Sequence, residues 1–126
     1  MSGQVVHFEI PADNVERARG FYADVFGWVV NPMPEMNYTI VQTTQTGENG
    51  LPTKPGAING GIFERKDPLH HPVLTVDVAD VTDSLERVER AGGKTVLAKQ
   101  AVGDMGFVGY FTDPEGNVIG LWQNAS

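Results

Sequence analysis

Phe107-Val-Gly-Tyr-Phe-Thr-Asp-Pro-Glu-Gly-Asn-Val-Ile-Gly-Leu-Trp122 reads as two strands joined by a tight turn, and this hairpin decides how the rest of the chain is read. Aromatic and β-branched residues fill Phe107 to Thr112 and Val118 to Trp122. Between them Asp113, Pro114, Glu115, Gly116 and Asn117 supply the residues that reverse a chain. Side chains alternate along a strand, so Ile119 and Leu121 share one face while Val118, Gly120 and Trp122 share the other. Position 120 carries no side chain.

Upstream of the hairpin the pattern predicts a strand from His71 to Val78, a helix from Asp80 to Ala91 and a strand from Lys94 to Ala98. The helix carries Val81, Leu85 and Val88 on one stripe and stops at Gly92 and Gly93. The first half repeats this order. Val6, Phe8 and Ile10 form the apolar face of a first strand, and His7 and Glu9 point the other way. Asp13, followed three residues later by Glu16, has the form of a capping box that opens a helix running to Phe26 and ended by Gly27. Val15, Ala18, Tyr22, Val25 and Phe26 supply its apolar stripe, with Arg17, Arg19 and Asp24 on the wet side. Trp28 to Val30 reads as a short strand broken by Pro32 and Pro34, Asn37 to Thr44 as a longer one, and Ala57 to Glu64 as a third. Gly60 and Gly61 sit inside that third strand, where they weaken it unless something approaches the backbone closely. Gln45 to Gly56 is read as the loosest connection, a lid, a partner contact or an ordinary mobile loop.

Both halves therefore follow a β-α-β-β-β order. The fold class expected is α+β, one domain over 1–126, with modules at 4–64 and 71–123. The spacing also suggests a correspondence of histidines: His7 lies six residues before Asp13, and His71 six before Asp77. A net charge of -7 without a basic run argues against nucleic acid and anionic membrane surfaces as partners. No apolar run approaches the roughly 20 residues of a membrane span. Nor does Met1 to Gln4 start a signal peptide, so a cytoplasmic location is the expectation. With no cysteine there can be no disulfide, thiolate metal site or cysteine nucleophile. Chemistry must come from histidine, carboxylates, hydroxyls or the backbone.

Five motifs in order resemble the vicinal oxygen chelate superfamily, also called the glyoxalase/bleomycin-resistance/dioxygenase superfamily, in its single-module, glyoxalase-related branch. They are His7-Phe8-Glu9-Ile10-Pro11, Phe21-Tyr22 through Phe26-Gly27-Trp28, Asn59-Gly60-Gly61, Ala91-Gly92-Gly93-Lys94, and Asp113-Pro114-Glu115-Gly116-Asn117 with Gly120-Leu121-Trp122. The resemblance implies two βαβββ modules curled into a cup-shaped mixed sheet with helices on its outer face, paired as a homodimer. In metal-dependent members the cup holds a divalent ion on four side chains. His7 matches the first-strand ligand and His71 the ligand that opens the second module. The final-strand glutamate falls at Gly120, and the fourth position falls among Asn59, Gly60 and Gly61, none of them a carboxylate.

Three readings of the polar centre stay open: an incomplete metal site on His7 and His71 with Glu9 as a third donor, a metal-free acid/base pair of His7 and Glu9, and a polar pair that merely satisfies itself. Asn59, Gly60, His71, Thr75, Phe107, Phe111, Gly120 and Trp122 are the residues expected to contact a small organic ligand, with Val73 and Gly109 facing the same way. Packing in the core or at a dimer interface competes for Trp122, Trp28 and Tyr38. The resemblance implies either a lyase or isomerase related to lactoylglutathione lyase, with a dioxygenase less favoured, or a non-catalytic protein that binds a drug or metabolite.

Overall fold

The computed structural model describes Gly3 to Ala125. It contains eight strands and two α-helices in an α+β arrangement that mixes parallel and antiparallel pairing. Two compact units divide the chain, one made of residues 7–72 and the other of residues 73–126 with the first six. Neither helix is long and apolar enough to cross a membrane.

In the unit of residues 7–72 the elements are β1 (Val5–Ala12), whose first two residues belong to the other unit, α1 (Val15–Phe26), β2 (Val29–Met33), β3 (Tyr38–Gln42) and β4 (Asn59–Glu64). The strand order is β2-β3-β4-β1, with β4 parallel to β1 and antiparallel to β3. Asn14, one residue beyond the expected cap, starts α1 by accepting the Arg17 amide at 2.9 Å. Gly27 ends it at φ 73°, a left-handed conformation that costs glycine little. Val15, Ala18 and Tyr22 of the expected stripe pack with Ala12, Val41 and Ile62. Val25 and Phe26 do not, staying 52% and 61% exposed. Pro32 lies inside β2 rather than breaking it, because β2 is an edge strand that needs no donor on its open side.

The second unit repeats the order with β5 (Val73–Asp77), α2 (Val81–Arg90), β6 (Lys94–Val102), β7 (Gly106–Thr112) and β8 (Val118–Asn124). Its strand order, β5-β8-β7-β6, reproduces that of the first unit read from the equivalent strand. Gly3 and Gln4 belong here too, bonded to Asp77 through backbone groups. The hairpin forms as read: Asp113 accepts the amides of Glu115 and Asn117 at 2.8 and 3.0 Å, and Gly116 takes φ 86°. Asp80 caps α2 as expected, accepting the Asp83 amide at 2.9 Å. Val81, Leu85 and Leu121 form the core beneath it.

Two expectations of register are corrected. The strand predicted from His71 begins only at Val73, leaving His71 exposed in a bend. The true caps, Asn14 and Asp80, place Val73 and Thr75 where the first unit has His7 and Glu9. On β7, residues paired directly across an antiparallel ladder share a face, and Phe111 pairs with Ile119 and Gly109 with Leu121. Phe107, Gly109 and Phe111 therefore lie on the α2 side, opposite to Gly120, and the two phenylalanines pack on the Val81, Leu85 and Leu121 core.

Candidate functional site

Alternation along β1 sends Phe8, Ile10 and Ala12 into the core with α1 and leaves His7 and Glu9 on the other face. Glu9 is only 7% exposed, so its carboxylate must be held by partners. The parallel strand β4 sets His7 opposite Asn59 and Glu9 opposite Gly61. A β-carbon at Gly61 would lie 1.9 Å from the Tyr38 hydroxyl oxygen and 2.1 Å from Cζ of its ring. The phenol thus rests on bare backbone, in space that any other residue at 61 would fill.

From that berth Tyr38 donates its hydroxyl proton to Oε2 of Glu9 at 2.8 Å, and its oxygen lies 2.9 Å from Nε2 of His7. A phenol has one proton. Since Tyr38 gives it to Glu9, the 2.9 Å contact requires His7 Nε2 to carry a hydrogen and donate. In a neutral ring that leaves the lone pair on Nδ1, which has no hydrogen-bond partner among the described residues. Burial holds the His7 pKa below its ordinary value by disfavouring the imidazolium, and the Glu9 charge partly offsets this. The ring is therefore neutral near pH 7 and able to accept a proton.

Asn59, expected on the ligand surface, uses its amide elsewhere. Its Oδ1 accepts the Thr43 amide and its Nδ2 donates to Thr46 Oγ1, both at 2.9 Å. With Thr43 Oγ1 donating to the Ile58 carbonyl at 2.6 Å, these bonds close the base of the 45–56 loop. Gly47 donates to Leu51 and Thr53 to Gln45 across it. The connection is internally bonded rather than loose. Gly60 faces away from His7 and Glu9, since a β-carbon there would sit 2.4 Å from the Phe8 carbonyl and 2.5 Å from the Phe8 ring. It permits close strand approach in the core.

A divalent metal does not fit the residues of this face. The Tyr38 hydroxyl already stands between His7 and Glu9, and His71 is an exposed bend residue outside β5. Among the described residues no three His, Asp or Glu side chains gather into a metal-binding group.

In the second unit Thr75 is buried opposite Gly120, repeating the pairing of Glu9 with Gly61. A β-carbon at Gly120 would meet Thr75 Oγ1 at 3.0 Å and Tyr110 Cε1 at 3.3 Å. Both units thus bring a tyrosine against a glycine, but only the first adds a histidine and a carboxylate. Trp122 lies over Gly106, where a β-carbon would be 2.6 Å from Cζ2, and donates its indole N–H to Asn124 at 2.9 Å. Tyr38 is the member of the site that sequence reasoning treated as packing. Its signal was indirect: Gly61 inside a strand implied that something lay close to the backbone.

A family model described as Bleomycin resistance protein-like N-terminal matches residues 4–44. A glyoxylase-like domain-containing protein of Didymella fabae is 31% identical over 122 residues, which is 93% of this chain and 91% of that protein. CFP32 of Mycobacterium bovis, which carries a provisional glyoxylase name, is 32% identical over 111 residues. That match takes in 84% of this chain, which spans only 40% of the mycobacterial protein's length. Among solved structures, Streptomyces coelicolor methylmalonyl-CoA epimerase in complex with 2-nitronate-propionyl-CoA is similar over the full length of both chains, with a TM-score of 0.66 and 14% identity, a likeness of fold.

Proposed function

Because the chain belongs to the vicinal oxygen chelate superfamily, the glyoxalase and bleomycin-resistance group, we propose that it binds a small organic molecule on the sheet face of His7, Tyr38 and Glu9 and moves a proton on it. The observation that carries this reading is the directed chain from His7 through Tyr38 to Glu9. Nδ1 of His7 takes a proton from a carbon next to a carbonyl, leaving an enolate on the substrate and an imidazolium on the enzyme. Tyr38 and Glu9 hold the ring in the Nε2–H tautomer, and the Glu9 charge stabilises the imidazolium. Returning the proton to the other face of that carbon, or to its neighbour, regenerates the neutral ring and completes an isomerisation.

The test is exchange in D2O, followed by proton NMR, against a panel of α-hydroxycarbonyl compounds, hemithioacetals and acyl thioesters. Deuterium should enter the carbon beside the carbonyl of at least one member. Replacing His7 with Phe should slow that exchange by about 100-fold or more. Binding without exchange across the panel would refute the catalytic reading.

A second reading draws on the same geometry. Tyr38 satisfies both His7 and Glu9, as groups do in a site built to retain a ligand rather than to transform it. Titration calorimetry with product analysis on each binding compound separates retention from turnover.

A further inference from the structure

On the α1 side of β1, away from His7 and Glu9, a hollow of about 330 Å³ opens at the end of the strand. That volume is near the lower limit for small-molecule sites, about 300 Å³. Ile10 and Ala12 form its floor, and Ala18, Phe21 and Tyr22 of α1 its wall. Phe21 is 54% exposed, with its ring edge-on to Tyr22 at 5.1 Å between centroids. The wall is therefore aromatic and open to water.

The rim is basic although the chain as a whole carries -7. Arg65 is held in place, its Nε bonded to Asp13 at 2.9 Å and its Nη1 donating to the His70 carbonyl. Arg17 also lies at the edge of the hollow, and among the described residues its guanidinium has no ion-pair partner. With Asp13 set against Arg65, one positive charge is left over, on a side chain that can turn toward a ligand.

We propose that this hollow is a second small-molecule site, taking a ligand with a flat apolar body and a single anionic group such as a carboxylate. The body lies against Phe21, and the anion meets Arg17. The site shares none of the three polar groups of the His7 face, so it stands or falls independently of the proton-transfer reading.

Amide NMR titration of the full chain with 1-naphthoate tests it, with neutral 1-naphthalenemethanol and cationic 1-naphthylmethylamine as comparisons. Saturable shifts at Asn14, Arg17 and Phe21, with the anion binding more tightly than the cation, are expected. Arg17→Gln should weaken naphthoate by about fivefold and leave the neutral compound unchanged, the scale of one exposed ion pair. Phe21→Ala should weaken both. Both side chains are exposed, so spectra away from the hollow should overlay those of the unmodified protein. Absence of saturable shifts there, equal binding of anion and cation, or an equal effect of Arg17→Gln on the charged and neutral compounds would each overturn the proposal.

Discussion

Placing a methyl group at Gly61 tests whether Tyr38 is seated as described. The β-carbon of Gly61→Ala would stand 1.9 Å from the phenolic oxygen, where ordinary contact begins at 3.4 Å, so the hydroxyl must move by at least 1.5 Å. The displaced atom is the far end of a side chain, so the ring can swing. The cost then lies in what the swing breaks: the 2.8 Å bond to Glu9 and the 2.9 Å bond to His7. A bond to a charged group contributes about 1.5 to 3 kcal/mol and a neutral one about 1, which predicts a loss of about 2.5 to 4 kcal/mol. Alanine also restricts the unfolded chain, a stabilising effect of about 0.4 to 1 kcal/mol that is common to any background. A double-mutant cycle removes it. In a Tyr38→Ala protein, Gly61→Ala meets no ring and should cost nothing, so the two substitutions should couple by about 2 kcal/mol or more. Urea unfolding of the four proteins at constant m-value measures this. Costs that add within about 0.5 kcal/mol would show that Tyr38 does not depend on Gly61, and the bridge would have to be abandoned.

The lowered pKa of His7 has a stability consequence of defined sign. The unfolded chain, titrating near 6.5, binds the proton more tightly than the folded one, so stability is full above that pH and declines as pH falls through the folded value. Urea melts between pH 7.5 and 5 should show that decline to be smaller in His7→Gln. Glu9→Gln removes the charge that raises the His7 pKa, so the ring should titrate at still lower pH by proton NMR; a rise would contradict the arrangement. Asn59→Ala should leave the Thr43 amide unpaired, at a cost of about 1 to 3 kcal/mol, and speed amide exchange at Thr43, Gly47 and Thr53. Unchanged exchange there would mean that the loop is held by its own bonds.

Local chemistry was enough to specify the two helices, the Asp113 to Asn117 hairpin and the repeated β-α-β-β-β order. Caps, glycine stops and turn residues act within a few positions of themselves, so they can be read along the chain. The pairing of His7 with Glu9 on one face followed from strand alternation in the same way. Correspondence between the halves depended on which acidic or amide residue caps each helix. Counting from Asp13 and Asp77 instead of Asn14 and Asp80 aligned His71 with His7, whereas the folded strands align Val73 with it. Likewise, only the ladder between β7 and β8 decided that Phe107 and Phe111 lie beneath α2. Tyr38 was the least legible of all, because it reaches His7 and Glu9 across 31 and 29 residues of chain and through space that only Gly61 leaves empty. What lies next to a residue along the chain could be inferred from sequence; what faces it across a sheet had to await the packing of strands.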